Sequence, residues 1–198
     1  MSVVESATRL FERLSAAGDE FTRYLLPGVS VKRMDDLLGQ AGLPQPPSDI
    51  REFYGAFNLV SGYQYGPDQP RFYGIYWLLS FEDALQEWAY RRSNDYAEPP
   101  WQDAFPLLQD DGNAYLVETQ ADETGNRRVI DDFLGEIPAP VFLSMTAMFD
   151  TFNEWMSSGA LPNGASVPGF YEGDKRHVQD VAVRLNPGIA WWANLLSQ

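Results

Sequence analysis

The tetrapeptide Asp110-Asp111-Gly112-Asn113 separates two runs of strand-forming residues, Ala104-Phe105-Pro106-Leu107-Leu108 and Ala114-Tyr115-Leu116-Val117-Glu118-Thr119. It constrains the fold more than any other feature of the chain. An Asp-Gly step accommodates the positive φ angles of a tight turn whose twist matches that of the strands it joins. A second turn signal, Asp122-Glu123-Thr124-Gly125-Asn126, leads into Arg127-Arg128-Val129-Ile130-Asp131-Asp132-Phe133 as a third strand. Three strands joined by short turns pair antiparallel, because a parallel pair needs a crossover of a dozen or more residues.

Helical patterns surround this meander. Val3, Ala7, Leu10, Phe11, Leu14, Phe21 and Leu25 fall near one face of a helix over residues 3–25, which Pro27-Gly28 ends. Ser30 caps a second helix carrying Val31, Met34, Leu37, Leu38 and Ala41, with Gly42 as its stop. Pro44, Pro46 and Pro47 hold the next stretch extended. Ser48 then caps a helix over 49–57 whose Ile50, Phe53, Tyr54 and Phe57 share a buried face. Ser61-Gly62 and Gly66-Pro67 mark a loop, Phe72 to Leu79 reads as a strand, and Ser80 begins a helix through Phe81, Ala84, Leu85 and Trp88 that frays near Asn94. Ser144 caps a helix with Met145, Met148, Phe149, Phe152, Trp155 and Met156 along one stripe, closed by Gly159. After an irregular connector near Pro162 to Gly173, Asp174 starts one short helix, and Asn186-Pro187 starts another that aligns Ile189, Trp192, Leu195 and Leu196. That last stripe can bury against its own core or in a homodimer. The expected fold is α+β, with a central mixed or mainly antiparallel sheet of about 4 to 6 strands surrounded by helices in a single domain over residues 1–198.

Chemistry is sparse in this sequence. There is no cysteine, which removes disulfides, thiol nucleophiles and thiolate metal sites. His177 is the only histidine and reads as an ordinary, partly exposed side chain. No Walker loop, nucleophile elbow, zinc-protease helix or dinucleotide glycine pattern is present. Asp110-Asp111-Gly112-Asn113 and Asp131-Asp132 lack the alternating ligands and distal Glu of a calcium loop. No catalytic residue, cofactor-binding residue, metal ligand or cofactor is therefore assigned. A hydrolase would need two carboxylates converging in a cleft, one with a raised pKa. No apolar run reaches the roughly 20 residues that span a bilayer, and Met1-Ser2-Val3-Val4-Glu5 lacks the regions of a signal peptide, so the expected location is cytoplasmic.

Charge is the strongest functional signal. The chain holds 28 acidic against 14 basic residues, a formal net charge of −14, and so repels phosphate backbones and anionic lipid. Between Asn94 and Glu136 there are 11 acids against Arg127 and Arg128, 2 − 11 = −9. Acidic loops keep a protein soluble; the alternative is a surface for a basic protein partner. On that alternative the candidate contact residues are Asp110, Asp111, Asp122, Glu123, Asp131, Asp132 and Glu136.

Ile50-Arg51-Glu52-Phe53-Tyr54 with Asn58, the step Trp77-Leu78-Leu79-Ser80-Phe81-Glu82-Asp83-Ala84, Trp101 leading to Phe105-Pro106-Leu107, the turn and strand Asp110 to Val117, and Phe142 to Gly159 follow one another in order. Their succession over about residues 40–160 resembles the SUKH superfamily of Smi/Knr type. Helices over 1–42 and an extension over 163–198 lie outside the match. Where the family often has Asn-Gly after its first conserved helix, this chain has Asn58-Leu59-Val60-Ser61 before Gly62, a remodelled turn. The resemblance implies an α+β fold without catalytic residues. Bacterial members are chiefly immunity proteins that bind and neutralise toxins, often nucleases, and a fungal branch regulates cell-wall synthesis as an interaction hub. The expected partner is a basic toxin domain, with neither direct nucleic-acid nor membrane binding.

Overall fold

The computed structural model describes residues 1–62, 70–93, 103–160 and 173–195. Helix α1 (Val3–Ala16) opens with a reciprocal capping box, in which the Glu5 backbone N–H donates to Ser2 Oγ and the Ser2 N–H to the Glu5 carboxylate. The helix expected over 3–25 stops early. Gly18 takes a left-handed φ of 78° and Asp19 accepts from Phe21 N–H, starting a separate 3-10 turn at Glu20–Tyr24. Glycine costs nothing in that conformation and aspartate competes for backbone donors, so together they outweigh the apolar periodicity. Phe21 still reaches the core, while Leu25, expected on the same helix, starts strand β1 (Leu25–Pro27).

Helix α2 (Val31–Ala41) is capped by Ser30 and closed by Gly42, as the sequence indicates. Helix α3 (Ser48–Ala56) differs in its cap: Ser48 is already the first helical residue, and Pro47 occupies the capping position, where its side chain has no atom that could accept a hydrogen bond. Of the expected buried face, Ile50, Phe53 and Tyr54 are buried on α3, with Phe53 stacked on Phe149 at 5.4 Å and Tyr54 O–H donating to Leu79 C=O, whereas Phe57 has left the helix and is half-buried. Strand β2 (Phe57–Leu59) then pairs antiparallel with β1. Asn58, on β2, accepts from Phe81 N–H at 2.9 Å and donates to Glu82, so it caps the helix that follows from across the chain.

The aromatic stretch Phe72 to Leu79 is not one strand. Residues 73–76 form a tight turn bridged between Tyr73 and Tyr76, and only β3 (Trp77–Leu78) is extended. Gly74, at φ 52°, permits the turn, and the turn sends Phe72, Tyr73 and Tyr76 into the interior. Helix α4 (Phe81–Ser93) follows, fixed at its start by Ser80 and Asp83; Asp83 also accepts from Ser61 O–H and Gly62 N–H, which ties down the turn after β2. Trp101 and the Gly66-Pro67 loop signal lie outside the described residues.

Strands β4 (Phe105–Asp110), β5 (Asn113–Val117), β6 (Val129–Asp132) and β7 (Ala139–Phe142) complete a five-stranded sheet in the order β3-β4-β5-β6-β7, antiparallel throughout. The meander is thus as the turn signals require. Strand β7 escapes sequence reading because it contains Pro140, which a sheet tolerates only at an edge or bulge; β7 is the edge, and its register slips beside Ile130. Trp192 Nε1–H donates to Val141 C=O, occupying an acceptor of that edge.

Helix α5 (Met145–Ser158) starts at Ser144, ends at Gly159, and packs along α1, with Arg13 donating to Asn153 C=O and Asn153 Nδ2 to Ser6 C=O. Helix α6 (Lys175–Leu185) is capped by Asp174. Asn186 does not start the last helix. It ends α6, fully buried, donating to Thr151 Oγ1 at 3.0 Å and accepting from Leu143 N–H, while α7 (Ala190–Ala193) begins only after Ile189. Trp192 is fully buried against Phe142 and Trp155, and Ile189 and Leu195 are buried beside it, so the described part of this stripe closes onto its own core. No described helix is long and apolar enough to cross a membrane.

Candidate functional site

The antiparallel order sorts the seven candidate acids into two groups. The β4–β5 turn and the β6–β7 connection emerge at one end of the sheet, and the β5–β6 connection at the other. Asp110, Asp111, Asp131, Asp132 and Glu136 therefore gather at the first end. Asp122 and Glu123 lie at the opposite end, the length of a strand away, or roughly 14 Å for a five-residue strand.

Their environments differ more than their shared charge suggests. Asp110 is 9% exposed and paired with Arg71 at 2.6 Å; the same guanidinium lies 4.0 Å above the Trp77 ring and donates to Ile75 C=O. Asp132 is paired with Arg91 at 2.7 Å, and Arg91 also holds Glu87. Asp131 faces the interior opposite Tyr115 and accepts from Tyr76 O–H at 3.1 Å. Burial pushes its carboxyl up to about 7, with Glu136 and Asp132 adding to the rise and the Tyr76 hydrogen bond opposing it. Burial likewise raises the Tyr115 and Tyr76 hydroxyls, and the Asp131 charge adds to both. Asp122 serves its own turn, accepting from Thr124 O–H, Thr124 N–H and Asn126 N–H; the Thr124 hydroxyl bond leads in holding its carboxyl below the usual range. Only Asp111, Glu123 and Glu136 are exposed, and none of them forms an ion pair among the described residues.

Counting charges along residues 94–136 overlooked the arginines supplied from outside that window. Arg71, Arg91 and Arg92 come from residues before it and pair with Asp110, Asp132 and Asp103. A count of charges also passes over the apolar loop beside the acids. Phe133, Leu134 and Ile137 are 39%, 74% and 91% exposed in the β6–β7 connection. The loop is nonetheless well held. Glu136 N–H donates to Phe133 C=O across a turn with Gly135 at φ 88°, and Leu134 N–H donates to Asn113 Oδ1 at 2.8 Å. The signal lay in Phe133-Leu134-Gly135-Glu136-Ile137-Pro138, three apolar residues around a Gly-Glu step, but it is recognisable as a turn only once β7 is known.

An open groove of about 210 Å³ lies elsewhere, lined by Pro44, Pro46, Pro47, Trp88, Arg92 and Asp103 among others. Asp131, the carboxyl with the raised pKa, does not line it. No group of three or more His, Asp or Glu side chains suited to a metal occurs among the described residues. His177 sits partly exposed on α6, as its sequence context indicates. Chemically, the turn end of the sheet offers exposed carboxylates around an ordered apolar loop. No family model and no curated protein matches this chain.

Proposed function

We propose that the chain is a non-enzymatic protein-binding module of SUKH type, an immunity protein that neutralises a basic toxin domain in the cytoplasm by covering its active site. The observation that carries this reading is the convergence of five of the seven acids with the exposed loop 133–138 at one end of the sheet. A negative field raises the encounter rate with a basic surface, and apolar contacts at the centre of the patch supply most of the affinity. Asp111 and Glu136 are the contact acids. Asp110 and Asp132 contribute field but are already paired with arginines.

The reading expects a neighbouring gene for a large secreted protein ending in a small basic toxin domain, and the test is co-expression of this chain with that domain. The chain is expected to restore growth and to co-purify with the toxin in a stable complex. A fully expressed chain that gives no protection and forms no complex would overturn the reading in favour of a regulatory scaffold whose acidity serves solubility.

A further inference from the structure

We propose that Leu134 and Ile137 form a preorganised hydrophobic anchor, whose occupant is a cationic partner segment presenting an apolar stripe. This rests on the protein-binding reading and deepens it by naming the contact. The connection between two antiparallel strands is usually polar, yet these two side chains are 74% and 91% exposed. Neither is loosely held. Leu134 has its N–H fixed by Asn113 and sits in the 133–136 turn, and Ile137 is restricted to extended backbone by Pro138. Ordering such residues before binding removes the entropy that a flexible loop would lose on association.

The occupant's charge follows from the rim. Asp111 and Glu136 stand beside the anchor without a cation of their own among the described residues, on a chain of net charge −14. A second copy would bring two such rims together, and an anionic membrane would meet the same repulsion. A positively charged segment with an apolar stripe satisfies both the acids and the side chains.

The test uses the full chain and a synthetic amphipathic helix of leucine and lysine carrying a fluorophore, followed by anisotropy. Wild type should bind it. A peptide of the same charge with serine for leucine, and one with glutamate for lysine, should bind at least about tenfold more weakly. The double variant Leu134→Asp, Ile137→Asp adds negative charge and would strengthen a purely electrostatic attraction, so a loss of about tenfold or more isolates the apolar contact. Val31→Asp, at another exposed apolar position (61%), supplies the matching control and should bind like wild type. The proposal is overturned if wild type does not bind the leucine and lysine peptide, if the double variant binds as tightly as wild type, or if the double variant instead abolishes self-association or binding to zwitterionic vesicles. Protection against the toxin separates the two readings: protection that survives the double variant removes the anchor and leaves the immunity function standing.

Discussion

Asp131 shows how far a residue's chemistry can depart from its one-letter identity. In sequence it is half of an acidic pair; in the fold it points beneath Tyr76, opposite Tyr115, while its neighbour Asp132 turns to the other face of the sheet and meets Arg91. Alternation along a strand makes that difference, and alternation can be assigned only when the register is known. The carboxyl titrates at about 7 when folded against an ordinary 3.8. Its favourable contribution is complete below about pH 4 and is lost as pH rises through about 7, because the unfolded chain gives up this proton first. Chemical denaturation at pH 4.5 and 7.5 should show Asp131→Asn removing part of the stability lost over that interval, on the order of 1–2 kcal/mol after allowance for solvent screening. An unaltered pH slope in the variant would show that Asp131 does not hold the proton. The ion pairs of Asp110 and Asp132 were illegible in the sequence for a related reason: their arginines lie 39 and 41 residues away.

At the scale of elements, the local signals that worked were caps and turns. Ser30, Ser144 and Asp174 cap their helices, and Asp111-Gly112 turns its hairpin with Asp111 itself at φ 26°. The signals that failed were those a neighbouring element decides. The pattern over residues 3–25 continues through a glycine that breaks the helix, Pro140 hides an edge strand, and Asn186 leaves the role of helix start to become a buried link between α5, α6 and the strand end at Leu143. Gly28 is another position that only the assembled fold explains. The chain there runs directly against α3, with Val29 N–H donating to Tyr54 C=O, and a Cβ on Gly28 would stand 2.1 Å from Gly55 O. Backbone cannot yield as a side chain does, so Gly28→Ala should destabilise the protein by about 2–3 kcal/mol. Thermal unfolding reads the change, and a variant as stable as wild type would mean that β1 and α3 are not so closely packed.

Across the whole molecule, one aromatic core joins the N-terminal helix, the sheet and the last helix. The resemblance extends over about residues 40–160, yet α1 packs along α5, and Trp192 closes over Phe142 and Trp155 from the far end of the chain. These outer segments therefore belong to the folding unit. Trp192→Ala should cost about 3–5 kcal/mol, read by denaturant unfolding, whereas a loss under about 1 kcal/mol would make the tail a detachable appendage.

The same scale carries the central claim, that the turn end of the sheet meets a basic protein. Rapid-mixing measurement of association with the cognate toxin domain tests it most directly, comparing wild type with Asp111→Lys, Glu136→Lys, two exposed changes that touch no described ion pair. At low salt the variant should associate at least about tenfold more slowly, and the gap should shrink toward about 0.5 M salt as screening removes the field. Equal association rates at low salt would contradict the assignment of this surface.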